Sequence, residues 1–254
     1  MKRVAAVIVG VVALLAAGGT QAAKAPARPA AKALPPGNSW ASIAKLPDWR
    51  GAWDFDGRNS DGRTAEKWPL TPDAAARFKA FIDGQSRGEG LQNQTANCQP
   101  PGMPGVLTQP YPIEFTYTPG KIVMTIETHA QTRWIFLDGR PHPEDPDLTF
   151  NGHSIGHWEG DTLVIDTIGL LPQVLLAQGV KHSDKVRIVE RMRLSKPDQL
   201  EDVLTITDPD VLTAPVVMAR RYNRHRDWSL IEYVCEQNNR DSADDKGRAG
   251  MKID

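Results

Sequence analysis

From residue 113 onward, the sequence consists of short runs rich in β-branched and aromatic residues, separated by tight turns. The turns include Pro-Gly at 119–120, Asp-Gly at 138–139 and Gly-Asp at 160–161. Links this short join antiparallel neighbours in hairpins. No helical pattern separates the runs, which disfavours a parallel sheet. The sequence therefore predicts antiparallel strands at 113–118, 121–129, 132–137, 155–159, 162–168, 185–195, 200–207, 216–222 and 228–235.

An up-and-down meander of this length leaves two strand edges exposed unless it closes on itself. We therefore predict a mainly β protein, an antiparallel up-and-down β-barrel, with a two-sheet sandwich as the alternative. One short helix is expected at 72–84, because Thr71 is a good N-cap, Pro72 suits the first helical position and Gly84 suits the end. Its apolar face, which we expect to pack on the flank of the barrel, consists of Phe78, Phe81 and Ile82.

The segment 46–53, "LPDWRGAW", resembles the opening of lipocalin-type (calycin) barrels. In those proteins, a Gly-x-Trp motif begins the first strand and closes the barrel base, and an arginine from a late strand packs over the tryptophan. Gly51 and Trp53 match the motif, and Arg220 and Arg221 are both candidates for the arginine. The resemblance implies a lipocalin-like barrel.

A second resemblance extends from about residue 49 to residue 239, to a group of exported bacterial domains without assigned chemistry. The shared stretches are "NCQPPGMP", "PYPIEF", "FLDGRPHP", "GHWEGDTLVIDT" and "EYVCEQNN". This resemblance implies one exported, disulfide-linked barrel and leaves its function open.

The N-terminus has the pattern of a secretory signal peptide. Lys2 and Arg3 precede an apolar run at 4–17, and small residues flank a cleavage point after Ala22. A retained N-terminal anchor is the alternative. We expect a periplasmic or secreted protein without a membrane span after cleavage, organised as a signal peptide (1–22), an Ala/Pro-rich linker (23–37), a barrel domain (38–239) and a charged tail (240–254).

Cys98 and Cys235 are the only cysteines of the chain. In an oxidising compartment, an even pair of cysteines favours a disulfide over two free thiols. The sequence therefore predicts a Cys98–Cys235 bridge and disfavours a catalytic cysteine.

The charge pattern and the absence of nucleotide-binding motifs argue against two classes of ligand, nucleic acids and nucleotide cofactors. The net charge is −1 and both signs are interspersed, and a basic stripe with interleaved aromatics is missing, which argues against a nucleic-acid partner. The sequence has no Gly-x-Gly-x-x-Gly motif and no phosphate-binding loop, which argues against a nucleotide cofactor. We therefore expect no cofactor and a small apolar or aromatic ligand, while the oligomeric state stays open.

Five of the six histidines lie between the end of one predicted strand and the connection to another. Histidine exchanges a proton near neutral pH, and alternate strand ends of a meander share one rim. We expect several of these residues at one barrel mouth, with polar loop residues as the alternative. A metal site built on His153 and His157 is disfavoured, because four extended residues span roughly 13 Å. The five histidines are His129, His142, His153, His157 and His182.

Three predicted strands each place a single acid on an otherwise apolar face, namely Glu127, Glu190 and Glu232. If these faces point into the barrel, the acids form a polar site in a hydrophobic pocket, with Arg133 or Tyr111 as partners. The alternative is that they point outward and pair with arginines on neighbouring strands.

Two classes of function remain open. The preferred hypothesis is a cofactor-independent acid/base enzyme of the lyase or isomerase type, because the titratable groups outnumber what a carrier of apolar ligands needs. The alternative is a periplasmic lipocalin-like binding or carrier protein without catalysis. The candidate catalytic residues are His153, His157, His129, Glu127 and Glu190. The candidate substrate-binding residues are Tyr111, Arg133, Trp134, His142, His182 and Glu232.

Overall fold

The computed structural model describes residues 35–60, 65–87, 98–235, 242–243 and 249–250. The predicted signal peptide, almost all of the predicted linker and most of the predicted tail lie outside the described residues. Within the described ranges, no helix is long and apolar enough to cross a membrane.

Nine strands form a closed barrel, as the alternation of runs and turns predicts. The strands and helices in chain order are α1 (Trp40–Ile43), β1 (Ala52–Phe55), α2 (Pro72–Ser86), β2 (Ile113–Thr118), β3 (Lys121–Ile126), β4 (Gln131–Phe136), β5 (His153–Glu159), β6 (Thr162–Ile168), β7 (Leu175–Ala177), β8 (Val180–Lys181), β9 (Arg187–Lys196), β10 (Gln199–Thr207), β11 (Val216–His225), β12 (Ser242–Ala243) and β13 (Ala249–Gly250). Around the barrel the order is β1-β11-β10-β9-β6-β5-β4-β3-β2, while β7 pairs with β8 and β12 with β13.

Alternate residues of each barrel strand point inward and outward, as the pleat requires. In β9, Ile188, Glu190 and Met192 are buried inside the barrel, while Arg187 and Arg191 are exposed outside it. Glu190 points inward because it shares a strand face with the apolar residues Ile188 and Met192, as the sequence pattern indicates. This alternation gives the barrel a core that is mainly aliphatic and aromatic.

One pair of neighbouring barrel strands is parallel, unlike the antiparallel order that the sequence predicts. Ile135 and Phe136 of β4 pair with Ser154 and Ile155 of β5. Parallel neighbours require a connection that returns to the starting end, and the segment 137–152 provides it. The sequence "GRPHPEDPD" in this connection has neither a helical nor a strand period, so its path is not encoded in a local pattern.

The predicted strand at 228–235 is wrong, and with it the inward face assigned to Glu232. The structure has no strand in this segment, and Glu232 is exposed. The reason lies in the closure: β11 already pairs with β10 on one side and with β1 on the other. A closed barrel offers no edge to a further strand.

The predicted strand at 121–129 ends three residues early, at Ile126. A single 3-10 turn, Thr128–Ala130, follows, and His129 and Ala130 adopt left-handed backbone angles with φ of 57° and 47°. Glu127 and His129 therefore lie beyond the strand and not on its face.

The barrel base has the predicted lipocalin-like closure, but the arginine is a third one. The guanidinium of Arg224 lies 4.4 Å from the ring centroid of Trp53, and its Nη2 donates to the carbonyl oxygen of Asp48 at 2.5 Å. The Trp53 indole donates to the Trp49 carbonyl oxygen at 2.9 Å. Both sequence candidates were wrong: Trp53 lies opposite Arg224 in the β1–β11 register, whereas Arg220 donates to the Pro104 carbonyl oxygen and Arg221 pairs with Glu201 outside the barrel.

Helix α2 begins as predicted and runs two residues beyond the predicted end. The Thr71 hydroxyl accepts a hydrogen bond from the Ala74 amide at 3.4 Å. Phe81 packs against Gly179 in the β7–β8 turn, where a Cβ would lie 2.5 Å from the phenylalanine ring. Ile82, which the sequence places on the packed face, is exposed.

The predicted disulfide between Cys98 and Cys235 is present, with a Cα–Cα distance of 5.6 Å and a sequence separation of 137. It joins the segment that precedes β2 to the chain that follows β11. The bridge therefore closes a loop that contains eight of the nine barrel strands.

We expect the Arg224→Met substitution to lower the free energy of unfolding by about 2–4 kcal/mol, because a desolvated cation–π contact and a hydrogen bond are lost together. Guanidinium chloride denaturation measures the change. Arg226→Met is the matched control: Arg226 is exposed and forms ion pairs only at the surface, so a loss below about 1 kcal/mol is expected. Equal losses in the two variants would contradict the role given to Arg224.

Candidate functional site

A cluster of polar side chains lies on the inner face of the barrel and is almost fully buried. Its members come from six strands that are consecutive around the barrel: β4, β5, β6, β9, β10 and β11. We call it the inner polar cluster; it consists of Arg133, Ser154, Thr167, Glu190, Asp202, Arg220 and Tyr222.

One half of the inner polar cluster is fully paired. Arg133 donates to both carboxylate oxygens of Glu190, at 2.9 Å for the Nη1–Oε1 bond. The Nε of Arg133 also donates to the Ser154 hydroxyl at 3.1 Å, and its Nη2 donates to the Thr167 hydroxyl at 2.8 Å. The oxygens of these two hydroxyls lie 2.9 Å apart. A bidentate pair with satisfied neighbours is a stable arrangement for buried charges. The sequence analysis placed Arg133 and Glu190 in one site, and the structure brings them together.

The other half of the cluster contains an acid whose carboxyl oxygens have no hydrogen-bond partner among the described residues. Asp202 lies directly opposite Arg220 in the β10–β11 register and is completely buried. Neither of its carboxyl oxygens has a hydrogen-bond partner within the described part of the chain, and the same holds for the Nε of Arg220. Burial, followed by the nearby charge of Glu190, raises the pKa of Asp202 well above its ordinary value. The carboxyl group is therefore held in its neutral, protonated form over a wider pH range than an exposed aspartate.

A buried segment before β2 covers this half of the cluster. We call residues 102–108 the inner segment; Met103, Val106 and Leu107 are buried in the core. Arg220 Nη1 donates to the Pro104 carbonyl oxygen at 2.8 Å, and the Tyr222 hydroxyl donates to the Leu107 carbonyl oxygen at 3.0 Å. The inner segment therefore separates Asp202 and its neighbours from solvent.

The sequence analysis missed Asp202, although a signal for the acid was present, and it named Arg220 only as a candidate for the barrel base. Leu200, Asp202, Leu204 and Ile206 alternate along the predicted strand 200–207, so a single acid interrupts an apolar face. This is the same pattern that selected Glu190. Arg220 has no comparable signal, because the neighbouring Arg221 is chemically identical and points outward.

Two candidate histidines meet on the outer surface of the barrel. The Nδ1 atoms of His142 and His153 are 2.9 Å apart, and the Nε2 of His142 faces the carboxylate of Asp166 at 3.7 Å. Arg187 holds this carboxylate through two hydrogen bonds. Burial is the main cause that lowers the pKa of both imidazoles.

Glu127, His129 and Tyr111 come together at a third place, where the chain after β11 lies against residues just before β2 and just after β3. The ring of His129 lies 5.1 Å from that of Tyr233, which packs edge-to-face on Tyr111 at 5.2 Å. Glu127 accepts a hydrogen bond from the Ile231 amide at 3.0 Å. Burial lowers the pKa of His129. Glu127 and its neighbours thus anchor the C-terminal segment that leads to Cys235.

The remaining candidates lie apart from these groups. His157 is exposed, and its Nε2 lies 3.1 Å from the Oε1 of Glu159. Trp134 is exposed on the outer surface of the barrel. The two ring nitrogens of His182 face the carbonyl oxygens of Ser183 at 2.6 Å and Leu171 at 2.9 Å. The five predicted histidines therefore do not share one barrel mouth. No group of three or more His, Cys, Asp or Glu side chains within the described ranges is arranged to hold a metal ion.

We expect the stability of the protein to fall with rising pH because of Asp202. A carboxyl group whose pKa is raised by folding contributes stability that is complete below its unfolded pKa of about 3.9 and is lost as pH rises through the folded pKa. The Asp202→Asn variant lacks this titration. Its free energy of unfolding, measured in denaturant between about pH 4 and pH 8, should rise relative to the wild type as pH increases.

Glu201→Gln is the control for this series, since Glu201 is the next residue of β10 and pairs outside the barrel with Arg193 and Arg221. A difference between the wild type and Asp202→Asn that stays constant with pH would contradict the protonated state of Asp202.

No protein-family model and no curated protein matches this chain. The solved structures that are similar to it in fold include the following three. The Schistosoma mansoni fatty acid binding protein in complex with arachidonic acid is 14% identical, with a TM-score of 0.33 and coverage of 70% of this chain and 96% of that one. The fatty acid-binding protein from brain tissue of Drosophila melanogaster, without citrate inside, is 15% identical, with a TM-score of 0.34 and coverage of 69% and 99%. The wild-type fluorescent protein UnaG is 16% identical, with a TM-score of 0.33 and coverage of 72% and 99%.

Proposed function

We propose that the protein binds a small hydrophobic molecule inside the barrel and acts as a carrier without catalysis. The observation behind this proposal is Asp202, whose two carboxyl oxygens are buried on the inner face without a partner among the described residues. A buried polar group that lacks a hydrogen bond costs about 1–3 kcal/mol. A ligand that supplies the missing hydrogen bonds recovers this energy on binding.

The surroundings of Asp202 define the chemistry of the ligand. A protonated carboxyl group donates one hydrogen bond and accepts others, and the Nε of Arg220 adds a donor. The complement is an uncharged group with both an acceptor and a donor, such as an amide or a hydroxy-carbonyl group. The neighbouring inner residues Leu200, Leu204 and Met218 are apolar, so the body of the ligand is apolar as well.

The carrier hypothesis fits the geometry better than the enzyme hypothesis. Among the candidate catalytic residues, Glu190 is inside the barrel and fully engaged with Arg133. His153 and His157 belong to the outer face of β5, since the intervening Ser154 points inward. The wall of the barrel therefore separates the histidines from the inner acid. The predicted signal peptide (1–22) would make such a carrier an exported protein.

Entry of the ligand requires the inner segment to move. The segment occupies hydrogen-bonding groups of Arg220 and Tyr222, which lie beside Asp202. The Cys98–Cys235 bridge anchors the chain four residues before the segment begins. We therefore expect slow association, with the disulfide limiting how far the segment can be displaced.

A displacement assay with Nile red and three twelve-carbon compounds tests the proposal. Dodecanamide, dodecanoic acid and dodecylamine share one apolar chain and differ in the head group. We expect dodecanamide to displace the dye with a stoichiometry of one and more tightly than the two ionisable compounds. The Asp202→Leu variant should bind dodecanamide at least about tenfold more weakly, as expected for the loss of a buried hydrogen bond.

The controls separate binding from folding. Asp202→Asn keeps hydrogen-bonding groups at the same position and should retain binding within a few-fold, whereas Glu201→Leu alters only the outer face of the same strand and should have no effect. Circular dichroism establishes that each variant is folded. Unchanged affinity in Asp202→Leu, or no displacement by any of the three compounds, would contradict the proposal.

A further inference from the structure

We propose that the hydrogen bond between His142 and His153 is an acid-operated switch, which holds the connection 137–152 against the outside of the barrel at neutral pH and releases it in acid. His142 belongs to the connection, and His153 is the first residue of β5. Their Nδ1 atoms are 2.9 Å apart, so one ring donates a proton and the other accepts it through a lone pair. We call the two residues the histidine pair.

The first part of the connection has few other attachments to the barrel. Residues 138–148 form no backbone hydrogen bond with any other residue that the structure describes, whereas Thr149 is bonded to both Gly169 and Leu171. The side chain of Arg140 lies over the Phe136 ring at 4.1 Å, but its hydrogen bonds go to Asp138 of the connection itself. The position of residues 138–148 therefore depends on the histidine pair.

Two successive protonations of the histidine pair have different effects. After the first, one of the two facing nitrogens still has a lone pair, so the hydrogen bond persists. After the second, both Nδ1 atoms carry protons, because a charged imidazole is a donor at both ring nitrogens and an acceptor at neither. Two cations then face each other across 2.9 Å without a hydrogen bond, and the rings must separate.

The surroundings of the histidine pair oppose the second proton. Asp166 on β6 is the acid that faces it, with Oδ2 3.7 Å from the Nε2 of His142. That nitrogen has no hydrogen-bond partner among the described residues, and Arg187 on β9 already engages both oxygens of the carboxylate. Burial lowers the pKa of both imidazoles, and the charges of His142 and Arg140 lower the pKa of His153 further.

The sign of the pH dependence follows from these shifts. A histidine whose pKa is lowered by folding contributes stability above its unfolded pKa of about 6.5, and this stability is lost as the pH falls. The closed connection therefore prevails at neutral pH. In acid, the ratio of open to closed protein rises by up to about a hundredfold per pH unit when opening takes up two protons.

Opening of the connection changes the outer surface of the barrel where β4 meets β5. The two strands share two residue pairs, and Phe136 belongs to one of them. Its ring contacts the Arg140 guanidinium at 4.1 Å and stacks on the His153 imidazole, with centroids 5.4 Å apart and planes at 26°. Release of the connection removes the guanidinium, so acid uncovers an apolar ring at this joint.

Nuclear magnetic resonance of the folded, ¹⁵N-labelled protein tests the proposal without a ligand, and so independently of the proposed function. Long-range ¹H–¹⁵N spectra between about pH 8 and pH 4.5 report the protonation of each ring nitrogen, and the heteronuclear NOE reports the order of the backbone. We expect His142 and His153 to titrate in two coupled steps. The NOE of residues 138–148 should fall with the second step, while that of residues 149–152 should stay unchanged.

Two substitutions of His142 separate the hydrogen bond from its titration. His142→Asn keeps a donor and an acceptor at this position but does not titrate, and its amide oxygen can accept a proton from a charged His153. Residues 138–148 of this variant should stay ordered at about pH 4.5, which also shows that the barrel is folded in acid. His142→Leu lacks the hydrogen bond, so the same residues should lose order already at about pH 7.5.

His157→Asn is the matched control, since His157 lies on the same outer face of β5 and pairs with Glu159. It should leave the pH dependence of residues 138–148 unchanged. The proposal would be overturned if these residues stayed ordered in the wild type after both rings are protonated, or if His142→Asn lost their order at the same pH as the wild type.

Discussion

Closure of the barrel by a four-residue strand is the constraint on which the rest of the structure depends. β1 pairs with β11 on one side and with β2 on the other, so that neither of those strands is left with an open edge. Trp53 lies inside this strand, under the guanidinium of Arg224. Once the sheet is closed, each residue belongs either to the inside or to the outside. Ser154 and His153 are neighbours in sequence, yet one joins the inner polar cluster and the other a surface pair.

The inner polar cluster combines two arginines with two acids, and the pairing between them is unequal. Arg133 and Glu190 satisfy one another, whereas Arg220 uses the carbonyl oxygen of Pro104 and leaves Asp202 without a partner among the described residues. In a medium of low dielectric constant, the neutral form of such a carboxyl group has a lower free energy than the charged form. The unequal pairing is thus the observation on which the proposed ligand site rests.

The closed barrel and most of its strands could be predicted from the sequence, because inward apolar and outward polar residues alternate along each strand. Strands β2 and β6 have the bounds that their residue pattern predicts, and Glu190 points inward because the exposed arginines of β9 alternate with apolar residues. The arginine of the base was misplaced, since Arg220, Arg221 and Arg224 differ only in register, and register depends on the partner strand.

The sites were less predictable, because they depend on segments without a period. The position of His142 follows from a proline-rich connection that returns along the barrel, and the environment of Asp202 follows from the inner segment. Neither path is encoded in a hydrophobic pattern. The predicted strand at 228–235 failed for the opposite reason: its local pattern was adequate, but the closed sheet had no edge to receive it.

The most direct test of the account is the carboxyl carbon resonance of Asp202 in protein labelled with ¹³C-aspartate, assigned by its absence in Asp202→Asn. The account predicts the chemical shift of a protonated carboxyl group at pH values where exposed aspartates are ionised, and a change of that shift on saturation with dodecanamide. A resonance that titrates like an exposed aspartate, or one that dodecanamide leaves unmoved at saturation, would contradict it.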